Sequence, residues 1–207
     1  MSREPPLGPA QSLRRFPSPF TREAPPRLVW SSCLADVINS GARPAVQIED
    51  YWLDQYEVTN RQFQEFLKAG GYQRREFWKH PFVKEGQVLS WEQAMAEFHD
   101  TTGCPGPSTW ELGSYPEGQA DFPVGGVSWY EAAAYAEFAG KRLPTIYHWD
   151  RAAGAYLLVE VQTQLSNLGG KGPARVGSYR GVSPYGAYDM IGNVREWCWN
   201  QDGGALR

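Results

Sequence analysis

Cysteine and histidine are scarce in this chain, three of each among 207 residues. Cys33, Cys104 and Cys198 stand far apart and form no CxxC pair, which argues against a structural zinc site and against a dense disulfide framework. The odd count leaves at least one thiol unpaired within the chain, and each is read as a buried or incidental thiol and not as a nucleophile. A basic excess is also missing. The net charge is -3 and the pI about 5.7, so no positive field exists to hold phosphate backbones, and nucleic acid is excluded as an expected partner. No apolar run reaches the roughly 20 residues of a membrane-spanning helix. The opening Met1-Ser2-Arg3-Glu4-Pro5-Pro6 has no apolar signal-peptide core, which makes the cytoplasm the default compartment.

Aromatics and turn formers are abundant. Nine Trp, eleven Tyr, 22 Gly and 16 Pro point to one globular domain in which large rings, and not long helices, fill the interior. Residues 1–45 hold many of the prolines and no sustained period, which predicts a disordered tail with at most a short helical piece around Ser32 to Asn39. Order is expected from Val46, where alternating and aromatic patches up to Val58 suggest one or two strands.

Three capping boxes then mark helices. Thr59 with Gln62, Ser90 with Gln93 and Ser128 with Glu131 each place a hydroxyl three residues ahead of a Gln or Glu, the spacing at which side chain and backbone cap one another. Phe63, Phe66 and Leu67 fall on one face of the first helix, which Gly70-Gly71 stops. Trp91, Ala94, Met95 and Phe98 give the second, short helix one apolar side. The alanine-rich run from Ala132 to Ala139 fills the third, and Gly140 ends it. Thr145 caps a fourth helix through Trp149, Ala152 and Ala153 to Gly154. Thr101 to Phe122 reads as a long loop of the kind that carries recognition surfaces, and Tyr156 to Val161 as an apolar patch of open type.

The chain is organised around Tyr185 to Trp199. Asp189 and Glu196 supply two carboxylates, and a bend at Gly192 would turn main-chain carbonyls such as those of Gly192 and Val194 toward the same point. That is a calcium-like donor set, since calcium accepts roughly six to eight oxygens of mixed type. The spacing is not that of an EF-hand. A metal-free, hydrogen-bonded loop is the alternative.

Gly-Asn-Val-x-Glu-Trp preceded by Tyr-Gly-x-Tyr-Asp-Met resembles the core signature of the formylglycine-generating enzyme, or sulfatase-modifying factor, family. Two further hallmarks agree: Tyr56-Glu57-Val58-Thr59-Asn60 ahead of Phe63, and Pro123-Val124 with Val127-Ser128-Trp129 ahead of Ala139-Gly140-Lys141-Arg142-Leu143-Pro144-Thr145. Asn167-Leu168 and Val176-Gly177-Ser178-Tyr179 follow in the family's order. The resemblance runs from about Val46 to Trp199. It implies an α+β fold related to the C-type lectin-like architecture, with short helices, small antiparallel sheets and much irregular structure. The matching domain is 46–207, truncated at both ends, because the family's usual opening segment is missing and the chain stops at Arg207.

The resemblance also implies chemistry. The family's enzymes oxidise a sulfatase cysteine to formylglycine with copper held by two cysteines downstream of the Glu-Trp pair. Neither Cys33, Cys104 nor Cys198 matches those positions, so no catalytic residue is assigned and copper is expected only if the intact gene encodes a cysteine pair beyond residue 207. At the family's second calcium site Asp189, Gly192, Val194 and Glu196 match. At the first, Asn167 and Leu168 match, but Gly169-Gly170-Lys171-Gly172 replaces the acidic loop, which implies its loss. Arg195 stands where the enzymes usually carry Trp, and His148 where the cap of its helix has an acid. Relatives that make sulfoxides use a three-histidine iron site on an attached helical domain, which scattered His80, His99 and His148 do not match. The expected role is a non-catalytic binding or scaffolding module of bacterial type, for a protein or peptide ligand and fused to a kinase or hydrolase. The alternative is a truncated copper-dependent oxidase.

Overall fold

Thr59 starts the first helix, α1 (Asn60–Lys68), by the box its sequence announces: Gln62 N donates to Thr59 Oγ1, and Thr59 N donates to Gln62 Oε1 at 2.8 Å. The same reciprocal cap opens α2 (Trp91–Glu97) at Ser90 and α3 (Trp129–Phe138) at Ser128. A fourth helix, α4 (Ile146–Ala153), begins at Thr145 and ends in the left-handed residue Gly154. The structure is a computed structural model. It describes residues 48–154 and 161–199, with the backbone of Leu13–Phe16, Gln201–Asp202 and Ala205–Leu206.

The strands are short and antiparallel. β1 (Leu13–Phe16) pairs with β2 (Tyr51–Asp54) in the register Leu13 with Asp54 and Phe16 with Tyr51. β3 (Val83–Lys84) and β4 (Gln87–Val88) form a hairpin, and β5 (Gln201–Asp202) pairs with β6 (Ala205–Leu206). Few short helices and small antiparallel pairs define an α+β fold. Of the residues expected to form a tail, only Leu13–Phe16 are described; the rest, including the piece around Ser32 to Asn39, lie outside the described residues, as does most of the apolar patch after Tyr156. Residues 161–165 are helical. Among the described residues no helix is long and apolar enough to cross a membrane.

The chain divides into two compact units. Among the described residues the first comprises Val58–Leu143 with Gln201–Asp202 and Ala205–Leu206. Its core is aromatic: Phe63, Phe66, Tyr72 and Trp110 are buried with Ala134, and Phe77, Trp78, Phe98, Tyr135 and Phe138 pack against them. Burial of each large ring stabilises by about 2–3 kcal/mol. The polar atoms of Trp110, Trp78 and Tyr72 find partners. Trp110 Nε1 donates to Asn60 Oδ1 at 3.1 Å, Trp78 Nε1 to the Gly71 carbonyl at 2.8 Å, and Tyr72 OH to Glu131 Oε1 at 2.6 Å. Asn60 is thus a buried hub, because its Nδ2 also donates to Gln119 O at 2.9 Å and its backbone N to Phe122 O at 2.9 Å.

The long loop after α2 is irregular as expected, yet it is ordered from within. Asp100 Oδ1 accepts from Thr102 N, Thr102 Oγ1 and Cys104 N at 2.7–3.0 Å, and Oδ2 accepts from Gly113 N at 2.7 Å. Desolvation would raise its pKa, but these four bonds outweigh it and hold the carboxyl at about 2. Asp100 is shielded by its own surface loop and not by a deep core.

Among the described residues the second unit comprises Leu13–Phe16, 48–57, 144–154 and 161–199. Tyr51 and Leu53 of β2 face its core, while Trp52 between them is 61% exposed, the alternation of a half-buried strand. Ala152 and Ala153 at the end of α4 are fully buried, and their small side chains let Ala187 and Met190 close onto the helix. Tyr51 OH donates to His148 O at 2.7 Å, which ties β2 to α4. This places the loop after Tyr185 beside β2 and the helix.

Candidate metal centre

The loop from Tyr188 to Glu196 turns through left-handed backbone at Asp189 (φ 58°), Gly192 (φ 102°) and Asn193 (φ 58°). Asp and Asn tolerate that region better than other side chains; at Gly192 a side chain is also barred by contact, since a Cβ would lie 2.7 Å from Asn167 O. The loop is fastened at its start by β2's continuation. Tyr188 N donates to Gln55 O at 2.9 Å, and the Tyr56 and Tyr188 rings stack with centroids 5.0 Å apart.

Asp189 is 2% exposed and its Oδ2 accepts from Gly177 N at 2.8 Å. Gly177 can deliver that N–H only without a side chain, as a Cβ would sit 2.5 Å from the Tyr56 ring. Glu196 Oε2 accepts from Trp149 Nε1 of α4. Among the described residues the second oxygens, Asp189 Oδ1 and Glu196 Oε1, accept no hydrogen bond, and neither do the carbonyls of Gly192 and Val194. Each of the four sequence-predicted donors therefore keeps an oxygen free.

Asn193, between the two carbonyl donors, is the hub of the loop. Its N donates to Asn167 O at 3.0 Å, its Oδ1 accepts from Asn167 Nδ2 at 3.0 Å and Ala174 N at 2.8 Å, and its Nδ2 donates to Glu57 Oε2 at 2.7 Å. Val194 N donates to Glu57 Oε1 at 3.3 Å. Glu57 is a residue that sequence reasoning passed over as a ligand-loop partner. Its signal was a lone acid between the aromatic Tyr56 and the apolar Val58, a costly place for a charge without partners.

The electrostatics are those of crowded carboxylates. Burial, then the charge of Glu196 and more weakly that of Asp189, push Glu57 up to about 8 against its hydrogen bonds from Asn193 and Val194. Burial raises Asp189 as well, opposed by the Gly177 N–H. Desolvation and the Asp189 charge raise Glu196 despite the Trp149 bond; the residue as a whole stays exposed, so water tempers that rise. Among the described residues no three His, Cys, Asp or Glu side chains group to hold a metal ion, so a cation here depends on the two acids with main-chain oxygens. The donor chemistry fits a hard cation: free carboxylate and carbonyl oxygens, with negative charges whose mutual repulsion a cation would relieve.

The other singled-out residues stand elsewhere. Asn167 Nδ2 also donates to Gly172 O at 3.0 Å, closing the glycine loop on itself. Arg195 is exposed and forms no ion pair among the described residues, so it does not stand in for a cation. His148 Nδ1 lies 2.6 Å from Thr145 Oγ1 and so keeps a side-chain contact at its helix cap. His80 meets the edge of Trp129, and His99 Nδ1 lies 3.0 Å from Asp100 O. Cys104 is half-buried and Cys198 buried; Cys33 lies outside the described residues.

These loops and caps define a class. Residues 29–204 match the family model described as a sulfatase-modifying factor enzyme 1-like domain, a stretch that begins within the expected tail. The chain belongs to that family. It is 34% identical over 178 residues to a hercynine oxygenase of Mycolicibacterium smegmatis, covering 75% of this chain and 39% of the relative. It is 31% identical over 192 residues to a formylglycine-generating enzyme of Thermomonospora curvata, with 76% and 63% covered. A serine/threonine-protein kinase pkn1 of Chlamydia pneumoniae is 31% identical over 161 residues, with 74% and 23% covered. The chain thus spans less than two thirds of the length of these curated relatives.

Proposed function

We propose that this part of the protein is a calcium-stabilised, non-catalytic recognition module of the sulfatase-modifying-factor family. Asp189 and Glu196 would hold the ion through their free carboxylate oxygens, with the carbonyls of Gly192 and Val194 beside them. Calcium there offsets the carboxylate repulsion and closes the loop; it supplies structure and no bond-making step. The observation that carries this reading is the set of four unspent oxygens on one left-handed loop. A relation to C-type lectin-like domains would suit long ordered loops that present a surface to a protein or peptide ligand. Similarity to a protein named as a kinase supports fusion of such a module to a kinase or hydrolase domain. Calorimetric titration of the chain with calcium, beside Glu196→Gln, tests the site: saturable binding to the wild type alone supports it, and absence of binding to both removes it.

A second reading, a copper-dependent oxidase that converts a sulfatase cysteine to formylglycine, is favoured by the similarity to a formylglycine-generating enzyme. It requires a close cysteine pair encoded beyond Arg207. Sequencing the gene past that codon decides it, since two such cysteines after a Gly-Gly-Ser-Trp segment support the oxidase and their absence from an intact gene removes it.

A further inference from the structure

We infer that Glu57 is a positioning residue for the calcium loop: its buried carboxylate pins the peptide that lies between the two carbonyl donors, Gly192 and Val194. The inference rests on the calcium reading of that loop. Glu57 is 7% exposed, and its two oxygens are both engaged by consecutive residues, Oε2 by Asn193 Nδ2 at 2.7 Å and Oε1 by Val194 N at 3.3 Å.

Peptide planarity turns these bonds into directions. All described peptide bonds are trans, and in a trans unit the C=O points opposite to the N–H. Asn193 N points at Asn167 O, so the Gly192 carbonyl in the same peptide unit points away from Asn167. Val194 N points at Glu57, so the Asn193 carbonyl in that unit points away from the carboxylate. With the middle peptide and the Asn193 side chain both held, only the two torsions of Val194 itself remain to aim its carbonyl. Glu57 therefore anchors the N–H end from which Val194 aims its carbonyl, while Asn167 orients the Gly192 carbonyl through their shared peptide plane.

Glu57 is itself set by its neighbours. Gln55 O takes Tyr188 N and Tyr56 stacks on Tyr188, so residues 55–57 run beside the loop as a template that grips it at both ends. Gln at 57 would keep the size but offer one acceptor oxygen in place of two. Asp would keep the charge but fall a methylene short.

The test uses the 207-residue chain and terbium as a calcium probe. Trp149 Nε1 touches Glu196 Oε2, so an ion bound at Glu196 lies close enough to be excited through the indole. Emission lifetimes in H2O and D2O then count the waters left on the ion. Wild type should show calcium-displaceable sensitised emission. Glu57→Gln and Glu57→Asp should bind about tenfold or more weakly, in the usual range for outer-shell partners of metal ligands. Their ion should carry at least one more water, where the Val194 carbonyl has swung away. A purely structural role would lower the melting temperature without adding water to the ion. If either folded variant keeps the wild-type affinity and water count, the positioning role is overturned and the calcium site stands. If wild type itself shows no displaceable emission, the calcium reading falls and the role of Glu57 with it.

Discussion

Glu57 and Asn193 are 136 residues apart in sequence and 2.7 Å apart in space, joined by the Asn193 amide donating to the Glu57 carboxylate. That bond closes the second unit, because Glu57 continues from β2 and Asn193 sits at the bend of the Tyr188–Glu196 loop. It also decides the chemistry of the loop: carboxylates that approach one another need a cation or a set of N–H donors, and here the donors hold Glu57 while Asp189 and Glu196 each keep one oxygen free.

Gly177→Ala should destabilise the second unit. Its φ is 67°, and the added Cβ would meet Tyr56 at 2.5 Å. Backbone strain together with steric conflict costs about 1–3 kcal/mol. Gly169→Ala is the control, with nothing within 4 Å of its Cβ, and should be within about 0.5 kcal/mol of wild type. Denaturant titrations of the two variants check the contrast.

Asp100→Ala should loosen the long loop of the first unit by leaving four donors without their acceptor, at a cost of about 2 kcal/mol or more. The wild-type residue adds a pH effect. Its folded pKa of about 2 lies below its unfolded value of 3.8, so the stability it contributes is present above pH 3.8 and is lost as pH falls toward 2. The difference between wild type and Asp100→Ala should therefore shrink over that interval.

Glu131 has the opposite sign. It is 3% exposed, and desolvation raises its pKa against hydrogen bonds from Tyr72 and Ser128. A raised acid is easier to ionise unfolded than folded, so its contribution falls as pH climbs above 4.5. Glu131→Gln should keep the helix cap, as Gln62 and Gln93 do in the other two boxes, and should gain stability relative to wild type between pH 4 and 7. Paired denaturant titrations at those two pH values measure it.

Phe66→Ala should cost about 3–5 kcal/mol, since Phe66 is fully buried and touches Tyr72, Phe77, Tyr135 and Phe138. Thermal unfolding of the variant checks this value.

What the sequence made legible was local. The three capping boxes lie where their hydroxyl and Gln or Glu spacing puts them, because a cap is an interaction between residues three apart. Gly154 ends α4 for the same reason. The free oxygens of Asp189, Gly192, Val194 and Glu196 share one loop because they share one short stretch of chain. What stayed hidden is long-range. Asn60 reads as an ordinary first-turn residue, and only folding reveals its bonds to Trp110, Gln119 and Phe122. Glu57 stands in a recognisable motif, yet no spacing links it to Asn193. Pairing of Leu13–Phe16 with β2 is equally invisible in a proline-rich stretch without period.

The calcium site is tested most directly by melting the chain in millimolar calcium and again in excess chelator. On the proposed reading calcium would bind only the folded loop, so a hundredfold excess over its dissociation constant should stabilise by about 3 kcal/mol. The melting temperature should rise with calcium, return with chelator, and lose its response in Glu196→Gln and Asp189→Ala. A cooperative melting curve that calcium leaves unchanged in the wild type would contradict the site.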